Sequence, residues 1–308
     1  MATLYSSNSV FLNDLQQGFL SLFGGAAPGY WESFAALAKE VLGAIATSDA
    51  PYHTVEHTQQ VLVVGQTLLQ GRHLHSKAVT PHDWMNVMVA LLCHDIGYLR
   101  GLCPEDDLAA GRYSIGQPGQ TAVLLEGRTD ACLGPYHVDR GRQFVTMTLR
   151  QNPLIDLDRV LTCIELTRFP VPKGTIYQDT IDYPGLCRAA DLIGQLSDPR
   201  YLKKLPALYC EFEETGMNQI LGYSSAADLR ASYPHFYWCV VFPYIRDCLR
   251  YLAATQGGRQ IIARLYTNVY LVELEQQRTD STSPALKEIA GLGRHPLPPQ
   301  SGTVSVLP

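Results

Sequence analysis

The chain is short of several things that would point to a function at once. Its eight cysteines (Cys93, Cys103, Cys132, Cys163, Cys187, Cys210, Cys239 and Cys248) form no CxxC pair and fall mostly inside apolar helical patterns. That spacing argues for buried, reduced thiols and against disulfides or a zinc knuckle. Positive charge is not in surplus either: 24 Lys and Arg face 29 Asp and Glu, for a net charge of −5. No polycationic field is present to grip a nucleic acid polymer, and no basic amphipathic segment to lie on a membrane. The opening stretch, MATLYSSNSVFLNDLQQGF, has neither a basic start nor a continuous apolar run, so we expect no leader peptide, no membrane anchor and a cytoplasmic protein. Small-molecule chemistry is what these absences leave.

Alternation of apolar and polar residues at strand spacing is scarce too, whereas helical periodicity recurs almost throughout the 308 residues. An all-α fold follows. Helices are predicted at 30–47, 53–70, 81–97, 120–126, 138–151, 156–168, 183–196, 199–214, 225–231, 234–255 and 258–277. With 46% hydrophobic residues the chain can bury a substantial core. We expect an N-terminal extension (1–29), a single all-helical domain (30–278) and a loose tail (279–308) rich in proline and small polar residues. Residues 98–119 read as a long loop bordering a cleft.

What is present is a set of histidines and acids in odd places. PYHTVEHTQQVL, residues 51–62, sets His53 and His57 four positions apart, so that on a helix both face one pocket. VMVALLCHDIGYLRG, residues 87–101, is an apolar helix ending in His94 and Asp95. A carboxylate buried there without a partner is costly, and a divalent cation would satisfy both side chains. A second His-Asp pair, His82-Asp83 in TPHDW, is explained by capping of a helix start and carries no chemistry. Asp191 lies between Ala189, Ala190, Leu192 and Ile193. It either pairs with a cation such as Arg188 or is a further metal ligand.

The order H53xxxH57, H94D95, then D191 resembles the HD-domain metal-dependent phosphohydrolase superfamily, across roughly residues 50–200. YHTVEHTQQV resembles in particular the YHNxxHAxDV signature of class I cyclic-nucleotide phosphodiesterases. The resemblance implies an HD-domain helical bundle with added helices at both ends. His57, His94, Asp95 and Asp191 would ligate a divalent metal (Mg, Mn, Fe, Co, Ni or Zn), with Asp95 also able to bridge to a second. His53 would be the general acid. Glu165, in LTCIELTRF, would hydrogen-bond the metal's water, or else bind an arginine. His137 stands where a further histidine of the superfamily often stands, as a second-metal ligand or a phosphate contact. The implied activity is hydrolysis of a phosphate ester, diester or monoester, with a nucleotide or cyclic nucleotide among the candidate substrates. Phosphate needs cations, and Arg140, Arg142, Arg168 and Lys173 follow the site residues closely enough to line its rim. Gln219 and the aromatic run YPHFYWCVVFPY, residues 233–244, lie where the phosphodiesterases carry their base clamp, although an aromatic stripe is more often core. Two other functions stay open: a di-iron oxygenase, against which the absence of histidine between residues 96 and 136 counts, and a nucleotide-binding regulator without turnover. Oligomerisation is left open as well.

Overall fold

The computed structural model describes residues 2–76 and 79–282. The fold is all-α: among the described residues the only sheet is one two-stranded hairpin. The elements that carry the argument are α1 (Ala2–Phe23), α2 (Pro28–Ile45), α3 (Val55–Ser76), α4 (Pro81–Cys93), α5 (His137–Leu149), α6 (Leu157–Leu166), α7 (Tyr183–Leu196) and α8 (Tyr201–Thr215). After them come α9 (Met217–Leu221), α10 (Ala226–His235), α11 (Phe242–Ile245), α12 (Leu249–Ala253) and α13 (Gln256–Thr282). No described helix is long and apolar enough to cross a membrane.

Two helices form the axis of the core. In α4 every residue from Trp84 to Cys93 is buried, with α2, α3, α6 and α7 packed around it. α3 is covered in turn by α1, α4, α7, α12 and α13. The start of α4 is capped as its sequence predicts: Asp83 N–H donates to Thr80 Oγ1 at 3.1 Å, and Thr80 N–H donates to Asp83 Oδ2 at 3.0 Å. Asp83 also receives Arg159 at 2.6 Å, so the His82-Asp83 pair is accounted for by capping.

α3 and α7 cross closely because Gly194 has no side chain. A Cβ there would stand 2.9 Å from both Cα and Cγ2 of Val61. That contact lies one turn beyond His57 on α3 and one turn beyond Asp191 on α7, so it sets how near those two side chains come.

Several elements differ from the sequence reading. The N-terminal extension is the helix α1, whose Leu12, Leu15 and Phe19 enter the main core; their spacing of three and four is helical. The helix expected at 120–126 is instead strand β2 (Thr121–Val123), paired antiparallel with β1 (Arg112–Ser114). Gly119 and Gly127 both take positive φ, at +71° and +82°, and the stretch between them is too short for two helical turns. The single helix expected at 234–255 is interrupted by a π segment (Phe236–Val241), because Pro243 has no N–H for the carbonyl four residues back. α13 runs to Thr282, into the start of the expected loose tail, and the rest of that tail, 283–308, lies outside the described residues. The cysteines are free thiols, six of them buried, with Cys210 and Cys239 exposed.

Gly194→Val forces α7 away from α3, and we expect it to lose about 1–3 kcal/mol of stability in urea denaturation. Gly43→Ala is the control: its Cβ would meet nothing within 4 Å, so the gain in helix propensity should appear, up to about 1 kcal/mol.

Candidate metal centre

Four helices deliver the candidate site. His57 projects from the first turn of α3, His94 stands at the end of α4, Asp191 lies on α7, and His137 opens α5. α4 stops at Cys93, short of the expected 97, because Asp95 adopts φ −105° and ψ 1° and a short 3₁₀ turn, Ile96–Tyr98, follows. The chain bends there and Asp95 is turned back toward α3 and α7. Its Oδ2 lies 3.2 Å from His57 Nε2 and 3.1 Å from His94 Nε2. Asp191 Oδ1 stands 3.5 Å from each of the same two nitrogens. On its other side, Asp95 Oδ1 faces His137 Nε2 at 3.8 Å.

Gly97 makes this approach of α5 possible. A Cβ at Gly97 would fall 1.9 Å from the His137 carbonyl oxygen and 2.8 Å from Gly141 N.

The donor set fits a cation. Among the described residues His57, His94 and Asp95 offer ligand atoms that all lie within 4.8 Å of one another. His94 Nδ1–H donates to the Leu91 carbonyl at 2.7 Å, which leaves the Nε2 lone pair directed at the carboxylates. His94 Nε2 and Asp95 Oδ2 are both buried and have no hydrogen-bond partner. Leaving such atoms unsatisfied costs about 1–3 kcal/mol each, more when charged, and a divalent cation would satisfy both.

Without a cation the histidines supply the positive charge. Burial would raise the Asp95 pKa, but His94 and His53 hold it well below the usual carboxylate range. Burial opposes the shift of Asp191 in the same way, and His94 and His57 bring it down to about 2. Burial would lower the pKa of His94; Asp95 and Asp191 hold it well above that of a free imidazole. Burial wins at His137, whose pKa is lowered despite Asp95.

His53 is placed differently from expectation. It precedes α3, so it does not share a helical face with His57, yet the two rings stand 5.5 Å apart. Glu211 of α8 holds it there. The N–H groups of Tyr52 and His53 donate to Glu211 Oε1 at 2.6 and 3.1 Å, and His53 Nδ1–H donates to Oε2 at 2.5 Å. The His53 ring also stacks on Tyr98 at 4.3 Å, and Tyr98 stacks on His137 at 4.6 Å. Burial alone would lower the His53 pKa; Glu211, then Asp95, reverse this and raise it to about 9. The sequence reading missed Glu211, which sits in the acidic run CEFEET. The available signal was its spacing, three residues beyond Leu208 on the buried stripe of α8.

Four expected contributors lie elsewhere. Arg140 is fully buried and spends its donors on the carbonyls of Gly97, Leu99 and Ser114, at 2.6–2.7 Å, and on both oxygens of Asp106, at 2.9–3.0 Å. It clamps the loop 98–119 onto α5 and has no donor left for substrate. Glu165 accepts from Arg168 at 2.7 and 2.9 Å, from Arg142 at 3.0 Å and from Tyr177 at 2.7 Å, which is the arginine pairing the sequence offered as its alternative role. Arg168 is held by Glu165 and by Asp139 at 2.8 Å. Lys173 is exposed and, like Gln219, lies outside the cavity described next. Arg188, the alternative partner of Asp191, donates instead to the carbonyls of Tyr177 and Asp179.

A cavity of about 410 Å³ opens beside this cluster. His53, Asp95, Tyr98, His137 and Asp191 line it, together with Tyr233 and Phe236 from the aromatic run.

Fold and site together define an all-helical protein with a buried His/Asp constellation suited to a divalent cation. The chain belongs to the Npun_R2479-like family, whose model matches residues 6–275. A search of curated proteins found no match.

The His53–Glu211 pair predicts a pH dependence for the metal-free chain. With a folded pKa raised from 6.5 to about 9, His53 contributes stability that is fully present below pH 6.5 and is lost as pH rises through about 9. Urea midpoints should fall across that window, and Glu211→Gln should make the fall shallower while costing about 1–3 kcal/mol at the acid end. Parallel curves for the two proteins would show that Glu211 does not hold the proton on His53.

Proposed function

We propose that this protein is a metal-dependent phosphohydrolase of the HD-domain kind, cleaving a phosphodiester or phosphomonoester. The observation that carries this reading is the convergence of His57, His94, Asp95 and Asp191 at 3.1–3.5 Å, with buried ligand atoms left unsatisfied. The resemblance of YHTVEHTQQV and the HD pair to that superfamily supports it.

His57, His94, Asp95 and Asp191 would hold the cation. When bound, a divalent cation lowers the pKa of water and neutralises charge on phosphoryl oxygens. The chain's own residues do the rest. His53 has its Nδ1 committed to Glu211, so Nε2 is the ring nitrogen free to meet a leaving oxygen in the cavity it lines. Glu211 favours the imidazolium and fixes the ring plane, and Tyr98 blocks ring rotation by stacking. A proton can then pass from Nε2 to the departing oxygen at neutral pH.

A second reading has one observation of its own. Asp95 turns one oxygen to His57 and His94 and the other to His137, as a carboxylate bridging two metals would, and a di-iron oxygenase needs such a bridge. Iron near two per chain, with oxygen consumed on adding substrate, would favour it. Tight nucleotide binding without product after long incubation would favour a regulator.

For hydrolysis, the manganese-loaded chain should cleave bis(p-nitrophenyl) phosphate, and His94→Ala or Asp95→Ala should remove both the metal and the activity. His53→Ala should cost on the order of 10²-fold on an alkyl ester, whose leaving group needs a proton, and far less on the p-nitrophenyl ester. Purified protein with metal only at trace level and rates untouched by His94→Ala would overturn the proposal.

A further inference from the structure

A second cavity, of about 460 Å³, is built from the β hairpin, the loops on either side of it and the 3₁₀ segment Asp130–Tyr136. It shares no lining residue with the cavity beside the His/Asp cluster. Leu108, Tyr113, Leu124 and Leu125 give it apolar surface, with Leu108 and Leu125 63% and 72% exposed. Three charged side chains share the lining: Arg100, Glu126 and Arg128.

Arg100 is already answered. It donates to Asp130, to Asp49 at 2.7 Å and to the Arg128 carbonyl at 3.3 Å. Arg128 and Glu126 are not. Among the described residues neither side chain has a hydrogen-bond or ion-pair partner, and although they stand two positions apart they do not pair with each other. The backbone that carries them is nonetheless fixed. Arg128 N–H donates to the Leu125 carbonyl at 3.4 Å, closing a turn in which Gly127 takes φ +82°. Thr129, the next residue, donates to Glu214 through its N–H at 2.9 Å and its Oγ1 at 2.8 Å. A free cation and a free anion are thus held on one anchored turn, both lining the same concave volume. Such preorganisation lowers the cost of binding.

The pair of charges selects the ligand. An anion alone would meet Glu126, together with the carboxylates of Asp49 and Asp130 around Arg100, and a cation alone would meet Arg128. A molecule bearing both charges meets neither obstacle, and a guanidinium fork suits a carboxylate. We infer that this cavity binds a zwitterion with an apolar body, a free α-amino acid with a side chain of leucine or phenylalanine size. Its carboxylate lies on Arg128, its ammonium on Glu126 and its side chain among the leucines and Tyr113. No residue of the His/Asp cluster takes part, so the inference goes beyond the phosphohydrolase reading and does not rest on it.

The test is calorimetry on the full chain with L-phenylalanine, with 3-phenylpropionate, which lacks the ammonium, and with 2-phenylethylamine, which lacks the carboxylate. Phenylalanine should bind about threefold more tightly than the acid and about tenfold more tightly than the amine. Glycine, without the apolar body, should bind about tenfold more weakly than phenylalanine. Arg128→Gln should weaken phenylalanine about tenfold. Glu126→Gln should weaken it about threefold while leaving 3-phenylpropionate no weaker. Neither substitution removes a partner within the chain, so both variants should keep the melting temperature of the parent, which separates lost binding from lost fold. In carbon-13 methyl spectra, phenylalanine should shift Leu108, Leu124 and Leu125 and leave Leu192, Leu208 and Leu229, which line the other cavity. The inference is overturned by an absence of phenylalanine binding, by equal affinity for 3-phenylpropionate, by affinity untouched in Arg128→Gln, or by shifts confined to the leucines of the other cavity. Each readout is binding and not turnover, so its outcome is independent of whether the manganese-loaded chain cleaves an ester.

Discussion

The structure turns on a carboxylate placed where carboxylates rarely survive. Asp95 follows the apolar helix α4, and its Oδ2 is buried without a hydrogen bond. An isolated ionised acid in that position costs several kcal/mol, so positive or electrophilic partners must be brought to it. His57 arrives from α3, His94 from the end of α4 itself, and His137 from α5, while Asp191 of α7 completes the cage. The arrangement of helices around α4 can be understood as the set of positions that keeps Asp95 answered on both oxygens.

Glycine controls how close those helices come. Gly97 lets the start of α5 lie against the turn after α4, and Gly194 lets α7 lie against α3. In both cases backbone atoms are among those met, and these cannot swing aside as a long side chain can. The buried Arg140 secures the same region from the other direction by fastening the loop 98–119 to α5 through Asp106 and three carbonyls. The His/Asp cluster is therefore held by close backbone approach and a satisfied ion pair.

His53 shows how charge can be arranged around such a centre without adding ligands. Glu211 takes two backbone N–H groups and the ring Nδ1–H, so one carboxylate positions the chain before α3 and sets the proton on the imidazole. The cavity that His53 lines carries no lysine or arginine, and leucines and phenylalanines share its walls with Gln195, Ser232 and His235.

Much of this was legible before any coordinates. Helical periodicity identified an all-α chain, the capping box explained His82 and Asp83, and the odd burial of His94, Asp95 and Asp191 singled them out, because local patterns report which residues face inward. Local patterns do not report partners. Arg140 and Arg168 looked available for substrate in the sequence and prove to be held by Asp106, Asp139 and Glu165, while Glu211, hidden in an acidic run, reaches His53 from far along the chain. Sequence by itself determined the helices and the residues whose burial demanded compensation, since both follow from solvation and backbone preference within a few turns. Only the tertiary structure decided which donor meets which acceptor, because that depends on how closely helices distant in sequence can cross.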